Sequence, residues 1–223
     1  MEVLSVEQIR KADHRCIEEL GIPVEVLMES AGRAVFAQID RGPVGIVCGK
    51  GNNGGDGYVV ARLALIHELQ PHVISIVDPE ELTGPARLYC DVYRKLGGKF
   101  TVATDEAAIK KAFGQLKDCA VIVDAVLGTG VEGEVHGTPR AAIDNWPDVP
   151  TISVDVPSGM NADTGEICGA CIRATKTVTM QFAKRGFLKE EAKPYLGELI
   201  VADIGIPDVC ADDHTWDWLK DRW

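Results

Sequence analysis

The sequence predicts a three-layer α/β sandwich with a mostly parallel central sheet and an N-terminal helical hairpin. Three observations carry that reading. Short, continuously apolar stretches at 44–48, 72–77, 120–124 and 151–155 alternate with longer segments of helical spacing. Strands of that kind, separated by helices, indicate a parallel sheet covered on both faces. Finally, no Ser/Gly-rich linker, repeat or low-complexity stretch interrupts the 223 residues, a length that one large domain can occupy.

Taken in order, Ser5 followed by Gln8 reads as a capping box. The helix it opens carries Ile9, Ala12, Cys16, Ile17 and Leu20 on one face and stops at Gly21, before Pro23. A second helix runs through Leu27, Met28, Ala31 and Val35 to Ile39, with Ser30, Ala31 and Gly32 allowing close packing. Strand 44–48 leads through a glycine-rich turn into a helix over about 56–69. Strand 72–77, a helix over 84–96, a short strand at 100–102 and a helix over 106–116 follow. Then come strand 120–124, a helix near 139–145, strand 151–155 and late strands at 175–180 and 198–201. This gives one domain over 1–210 and a charged, aromatic tail over 211–223. The tail reads equally as a docking helix or a self-association handle.

Composition removes several function classes. A formal net charge of −11 disfavours a phosphate-backbone partner, so no nucleic acid is expected. No apolar run is long enough to span a bilayer, so no membrane partner is expected. The first residues lack the features of a signal or transit peptide, which points to a cytoplasmic location. Most of the seven cysteines sit in apolar surroundings, as buried free thiols do. Cys168 and Cys171 have redox or zinc spacing but no second pair to match, and their spacing reads as incidental.

The chain is organised around 44–63, where five glycines fall within nine residues, 49–57. Glycine reaches φ > 0 and lets a ligand approach the backbone. Strand, turn and helix start together can face an anion. The spacing is neither that of a dinucleotide fingerprint nor that of a P-loop. Asn52 and Asp56 read either as helix caps or as ligand contacts. Two further strand ends favour the second reading: Asp124 with Gly128-Thr129-Gly130-Val131-Glu132-Gly133-Glu134, and Asp155 with Ser158. In an open parallel sheet such ends share one rim, where ligands bind. Asn53, Asp124 and Ser158 form an oxygen-only donor set suited to a hard cation. The loop 128–134 offers backbone N–H groups to phosphate. Asp155 remains for hydrogen bonding or acid–base work. No Ser/His/Asp triad is legible, and of the five histidines only His136 falls near these stretches.

At these residues the sequence resembles the NAD(P)HX epimerase family, the YjeF N-terminal domain. The matching pieces are Leu27-Met28-Glu29-Ser30-Ala31-Gly32, Gly51-Asn52-Asn53-Gly54-Gly55-Asp56-Gly57, Val123-Asp124-Ala125-Val126-Leu127-Gly128, Val154-Asp155-Val156-Pro157-Ser158-Gly159 and Asp203-Ile204-Gly205-Ile206-Pro207. The resemblance implies a Rossmann-like α/β fold and an isomerase that interconverts the R and S forms of hydrated NADH and NADPH. It also implies that Asn52, Asn53, Gly54, Gly55 and Asp56, the loop Gly128 to Glu134 and Asp155 bind the dinucleotide. Asn53, Asp124 and Ser158 would hold potassium, K+. A homodimer and a separate NAD(P)HX dehydratase as functional partner are further implications. Ser30 stands where the family more often has Asn, and Lys184-Arg185-Gly186 resembles a Lys-Pro-Gly segment with the proline replaced. Lys184 is therefore a second candidate for contacting ligand. Two rival readings stay open: a non-catalytic dinucleotide-binding or dimerisation scaffold of the same fold, and an ordinary dehydrogenase, against which the glycine spacing argues.

Overall fold

The computed structural model describes residues 2–222. Strand β1 (Val3–Leu4) and helices α1 (Val6–His14) and α2 (Val24–Phe36) precede the central unit. β2 (Val44–Cys48), α3 (Asn52–Ile66), β3 (Pro71–Ser75), α4 (Gly84–Lys95) and β4 (Phe100–Val102) follow. After them come α5 (Glu106–Phe113), β5 (Val121–Ala125), α6 (Gly137–Asp144), β6 (Thr151–Val154) and β7 (Lys176–Met180). β8 (Ala183–Lys184), α7 (Lys193–Leu196), β9 (Glu198–Ala202) and α8 (Asp213–Lys220) complete the order.

Seven strands form one parallel sheet in the order β4-β3-β2-β5-β6-β7-β9. The chain runs outward from β2 to β4, then returns to the other side of β2 to begin β5. The strand order therefore reverses between β2 and β5, and the crevice beyond their carboxyl ends is where a ligand fits. Alternating side chains serve the two faces. On one, Ile46 and Cys48 pack with Val35, Tyr58 and Tyr93 of α2, α3 and α4. On the other, Val47 packs with Ile109, Phe113 and Ala142 of α5 and α6. These are the three layers that the alternation of strands and helices predicts.

Helix α3 begins at Asn52, four residues before the expected start, and ends at Ile66, before the expected 69. Its glycines explain the early start. Gly49, Gly51, Gly54, Gly55 and Gly57 are absent from the residues with positive φ, so left-handed backbone is not their purpose. A Cβ on Gly54 would lie 2.1 Å from the Gly49 carbonyl oxygen. On Gly55 it would meet the Met28 side chain at 2.6 Å, and on Gly57 that of Ala125 at 2.7 Å. The glycines let α3 sit directly against the strand it follows and against α2. Helix α2 stops at Phe36, short of Ile39, which is nevertheless buried.

The short parallel pair β1–β8 was not foreseen. Two residues on each side are too few to leave a periodic signal. The tail contains α8, whose Trp216 is 2% exposed and packs with Leu4, Ala12, Cys16 and Phe182. Asp213 of α8 pairs with Lys11 and Arg15, and Lys220 with Glu19. Trp218, by contrast, is exposed. Among the described residues no helix is long and apolar enough to cross a membrane.

Candidate active site

At the switch point lies a cavity of about 470 Å³. Its floor and rim come from the ends of the central strands, with Gly51, Asn52 and Asn53 after β2, Leu127 to Val131 after β5 and Asp155 after β6, and from Lys184 on β8 of the small β1–β8 pair. α1, the π-helical turn Arg15–Glu19 that continues it, and α2 supply an apolar wall through Ile9, Ile17, Leu27 and Met28. The three strand ends thus converge.

The first turn of α3 has no side-chain cap, and its N-cap residue is Gly51. Neither Asn52 nor Asp56 caps it, so its leading N–H groups are left for a ligand. Gly128, Thr129, Gly130 and Val131 line the cavity beside them. Gly54 and Gly55 do not line it; they serve the packing described above. Glu132 is exposed, and Glu134 pairs with Arg140 on the outer face, beside a separate shallow cleft. His136 is exposed and does not line the cavity either.

Asn53, Asp124 and Ser158 come together through Leu127. The Asn53 amide donates to the Leu127 carbonyl at 2.9 Å, and the Leu127 N–H donates to Ser158 Oγ at 2.9 Å. Ser158 Oγ in turn donates to Asp124 Oδ1 at 2.5 Å. Asp124 is fully buried and also accepts from Ser153 Oγ, the Ser158 N–H and the Val126 N–H. Burial pushes its carboxyl up, against those hydrogen bonds. Asn53 Oδ1 accepts no hydrogen bond among the described residues and sits beside Gly128. An unpaired amide oxygen among carbonyl, hydroxyl and carboxylate oxygens fits a hard cation. Nitrogen and sulfur ligands are not part of the cluster, and among the described residues no group of three His, Cys, Asp or Glu side chains is placed to hold a metal ion. Asn53 and Leu127 line the cavity, whereas Asp124 and Ser158 are fully buried and do not.

Asp155 is held in left-handed backbone at φ 64°, rare outside glycine. Strain of this kind gathers at functional sites. Its Oδ1 accepts from Lys184 Nζ, from Thr179 Oγ1 at 3.1 Å and from the Met180 N–H at 3.1 Å. Lys184 is 1% exposed and also donates to Thr179 Oγ1 at 2.7 Å. The buried ammonium thus holds one carboxylate oxygen, and Oδ2 has no partner among the described residues.

Two further carboxyls share the space. Asp56 is 92% buried by its 8% exposure, and burial, then the charge of Asp155, pushes its carboxyl well above the usual range. Asp13, on α1, was not anticipated from the sequence. Burial first, then Asp155, against the pull of Lys184, pushes its carboxyl up to about 6. Lys184 pairs with Asp155, and the carboxyls of Asp13 and Asp56, which have no such counterion, are both pushed up.

The raised value for Asp13 has a measurable consequence. Below about pH 4 its carboxyl is protonated folded or unfolded; between there and about 6 the unfolded chain ionises first, and native stability is lost as pH rises. After discounting for partial solvation, Asp13→Asn is expected to stabilise the fold by about 1–2 kcal/mol at pH 8. The gain should vanish below pH 4. Denaturant unfolding at the two pH values measures it, and equal midpoints at pH 8 would contradict it.

A model of the YjeF-related protein N-terminus family matches residues 24–186. The chain belongs to that family. It is 36% identical over 219 residues to the NAD(P)H-hydrate epimerase of Lentilactobacillus buchneri, covering 92% of this chain and 95% of that protein. It is 41% identical over 217 residues to the bifunctional NAD(P)H-hydrate repair enzyme of Moorella thermoacetica. There it spans 93% of this chain but only 41% of the relative. The crystal structure of the yeast protein ynu0 superposes with a TM-score of 0.70 at 24% identity, over 83% of each chain. That likeness concerns the fold.

Within this YjeF-related domain the cysteines are inert. All seven are free, and burial raises the thiols of both Cys168 and Cys171. Asp13 did leave a signal in the sequence. It stands four residues from both Ile9 and Ile17, a carboxylate in the middle of the apolar stripe of α1, and all three line the cavity.

Proposed function

We propose that this domain interconverts the R and S forms of hydrated NADH and NADPH. The observation that carries the reading is identity along nearly the whole of both chains with a relative named NAD(P)H-hydrate epimerase. The site supports it with an open helix start and glycine loop for a diphosphate, an apolar wall for the rings, and the Asp155–Lys184 pair.

C6 of the hydrate carries a hydroxyl beside the ring nitrogen. When the hydroxyl leaves as water, the nitrogen lone pair forms an iminium, and water can return to either face. Asp155 Oδ2 takes the proton of the returning water, while Lys184, Thr179 and the Met180 N–H fix Oδ1. The N–H groups of α3 and the 128–131 loop bind the diphosphate. Asn53, Asp124 and Ser158 would hold potassium, which would supply a fixed positive charge to the site. A homodimer and action beside a dehydratase belong to the same proposal.

A chromatographic time course with R-NADHX, in potassium and in potassium-free buffer, tests the reading. R-to-S conversion well above the spontaneous rate, faster with potassium, is expected. Dinucleotide binding without conversion would replace the epimerase by a non-catalytic scaffold.

A further inference from the structure

We propose that Asp13 is the second acid–base group of this reaction, serving the face of the reacting carbon opposite to that served by Asp155. The inference rests on the epimerase reading above. Asp13 projects from the helical wall, whereas Asp155 and Lys184 belong to the sheet rim, and all three line one cavity. The Asp13 carboxyl makes no hydrogen bond or ion pair among the described residues, yet it feels the charges of both Asp155 and Lys184. A largely buried carboxyl without a partner costs stability, and between Ile9 and Ile17 packing gives no reason for it. A ligand does.

Inversion at C6 needs both faces. A proton must reach the hydroxyl leaving one face, and another must be taken from the water arriving at the other. A single carboxyl on the rim cannot do both unless the ring turns over. With two, protonated Asp13 gives its proton to the C6 hydroxyl; the C6–O bond breaks, water departs, and the nitrogen lone pair forms the C=N bond. Water on the rim side then attacks C6, its surplus proton passes to Asp155 Oδ2, and the C=N electron pair returns to nitrogen. One water leaves, one enters, and one proton moves from Asp13 to Asp155. The reverse epimerisation, or exchange with solvent, restores the starting state. A carboxyl titrating near 6 is poised for this, about a tenth of it protonated at neutral pH.

The other charged and titratable groups around Asp13 are Asp56 and Lys50, which line the cavity with it, and Cys16 in the π-helical turn that continues α1. Lys11 of α1 and Arg15 just after it are engaged by Asp213 of α8. The test compares wild type, Asp13→Asn and Asp13→Glu in kcat with R-NADHX, in NADH affinity by titration, and in the pH profile of kcat/KM. Asp13→Asn is expected to lose about 100-fold or more in kcat while NADH affinity changes less than about threefold. Asp13→Glu should recover part of the rate. Wild-type kcat/KM should fall as pH rises through about 6, and the residual rate of Asp13→Asn should lack that limb. Wild-type kcat in Asp13→Asn, or a defect confined to NADH affinity, would overturn the inference and leave the epimerase reading intact. Should Asp13→Asn not fold, Asp13→Ser takes its place, and wild-type kcat in that variant overturns the inference. A wild type that binds NADH without epimerising R-NADHX overturns both.

Discussion

Asp155→Asn is expected to lower kcat by about 10²–10⁴-fold with dinucleotide affinity nearly unchanged, the range typical for a removed general base. Asparagine is the informative substitution because it tolerates the φ of 64° that Asp155 adopts, whereas a bulkier or branched residue would add strain. The variant carries a second cost. Lys184 is buried to 1% exposure with Asp155 as its ion-pair partner, and removing one member of such a pair destabilises by about 3–5 kcal/mol. Lost activity in the single variant alone would therefore be ambiguous. The double variant Asp155→Asn/Lys184→Met removes both charges and should regain most of that stability while its rate stays low. Stopped reactions followed by chromatography, beside denaturant unfolding, separate the two effects. Wild-type kcat in a folded Asp155→Asn protein would reduce Asp155 to a binding group.

A stability effect of similar size is expected at Asp124. Truncation to alanine strands Ser153 Oγ, Ser158 Oγ and two backbone N–H groups, all donors to its carboxylate. Each unsatisfied buried group costs about 1–3 kcal/mol. Even with relaxation, a loss of about 4 kcal/mol follows for Asp124→Ala, a large share of the ~5–15 kcal/mol that holds a domain together. Asp124→Asn keeps the shape and should cost less, but it removes the charge opposite the proposed cation. Wild-type unfolding midpoints should rise when sodium is exchanged for potassium at constant ionic strength, and those of Asp124→Asn should not. An Asp124→Ala protein as stable as wild type would show that the buried network contributes nothing. Midpoints indifferent to potassium would remove the cation from the proposal.

Much of this was legible in the chain. The sheet was readable because its strands are apolar and of ordinary length, and the rim because β2, β5 and β6 each end in polar residues beside glycine. The oxygen cluster was readable because Asn53, Asp124 and Ser158 follow three strands that a parallel sheet brings level. The reason for the glycines was not readable. Whether a glycine is needed for its φ or for its missing Cβ depends on what stands opposite, here the Gly49 carbonyl and the Met28 side chain. The start of α3 was misplaced for the same cause, since glycine lowers helix propensity unless packing compensates. Lys184 was legible only through the resemblance at Lys184-Arg185-Gly186, while its pairing with Asp155 and the burial of Asp13 were obscured by a different effect. A charged residue is ordinarily solvent-facing, and its burial is visible only when the partner elements meet.

The docking of α8 bears on the order in which the molecule can be completed. Leu4, Ala12 and Cys16 are made long before their packing partners Phe182, Ile204 and Trp216. β8, which carries Lys184, likewise pairs with β1 across nearly 180 residues of intervening chain. Synthesis proceeds from the N-terminus, so the wall bearing Asp13 has nothing to lean on for most of translation. A nascent chain will therefore own a finished β2–α3 turn well before it owns a finished pocket, and catalytic competence should switch on late and abruptly.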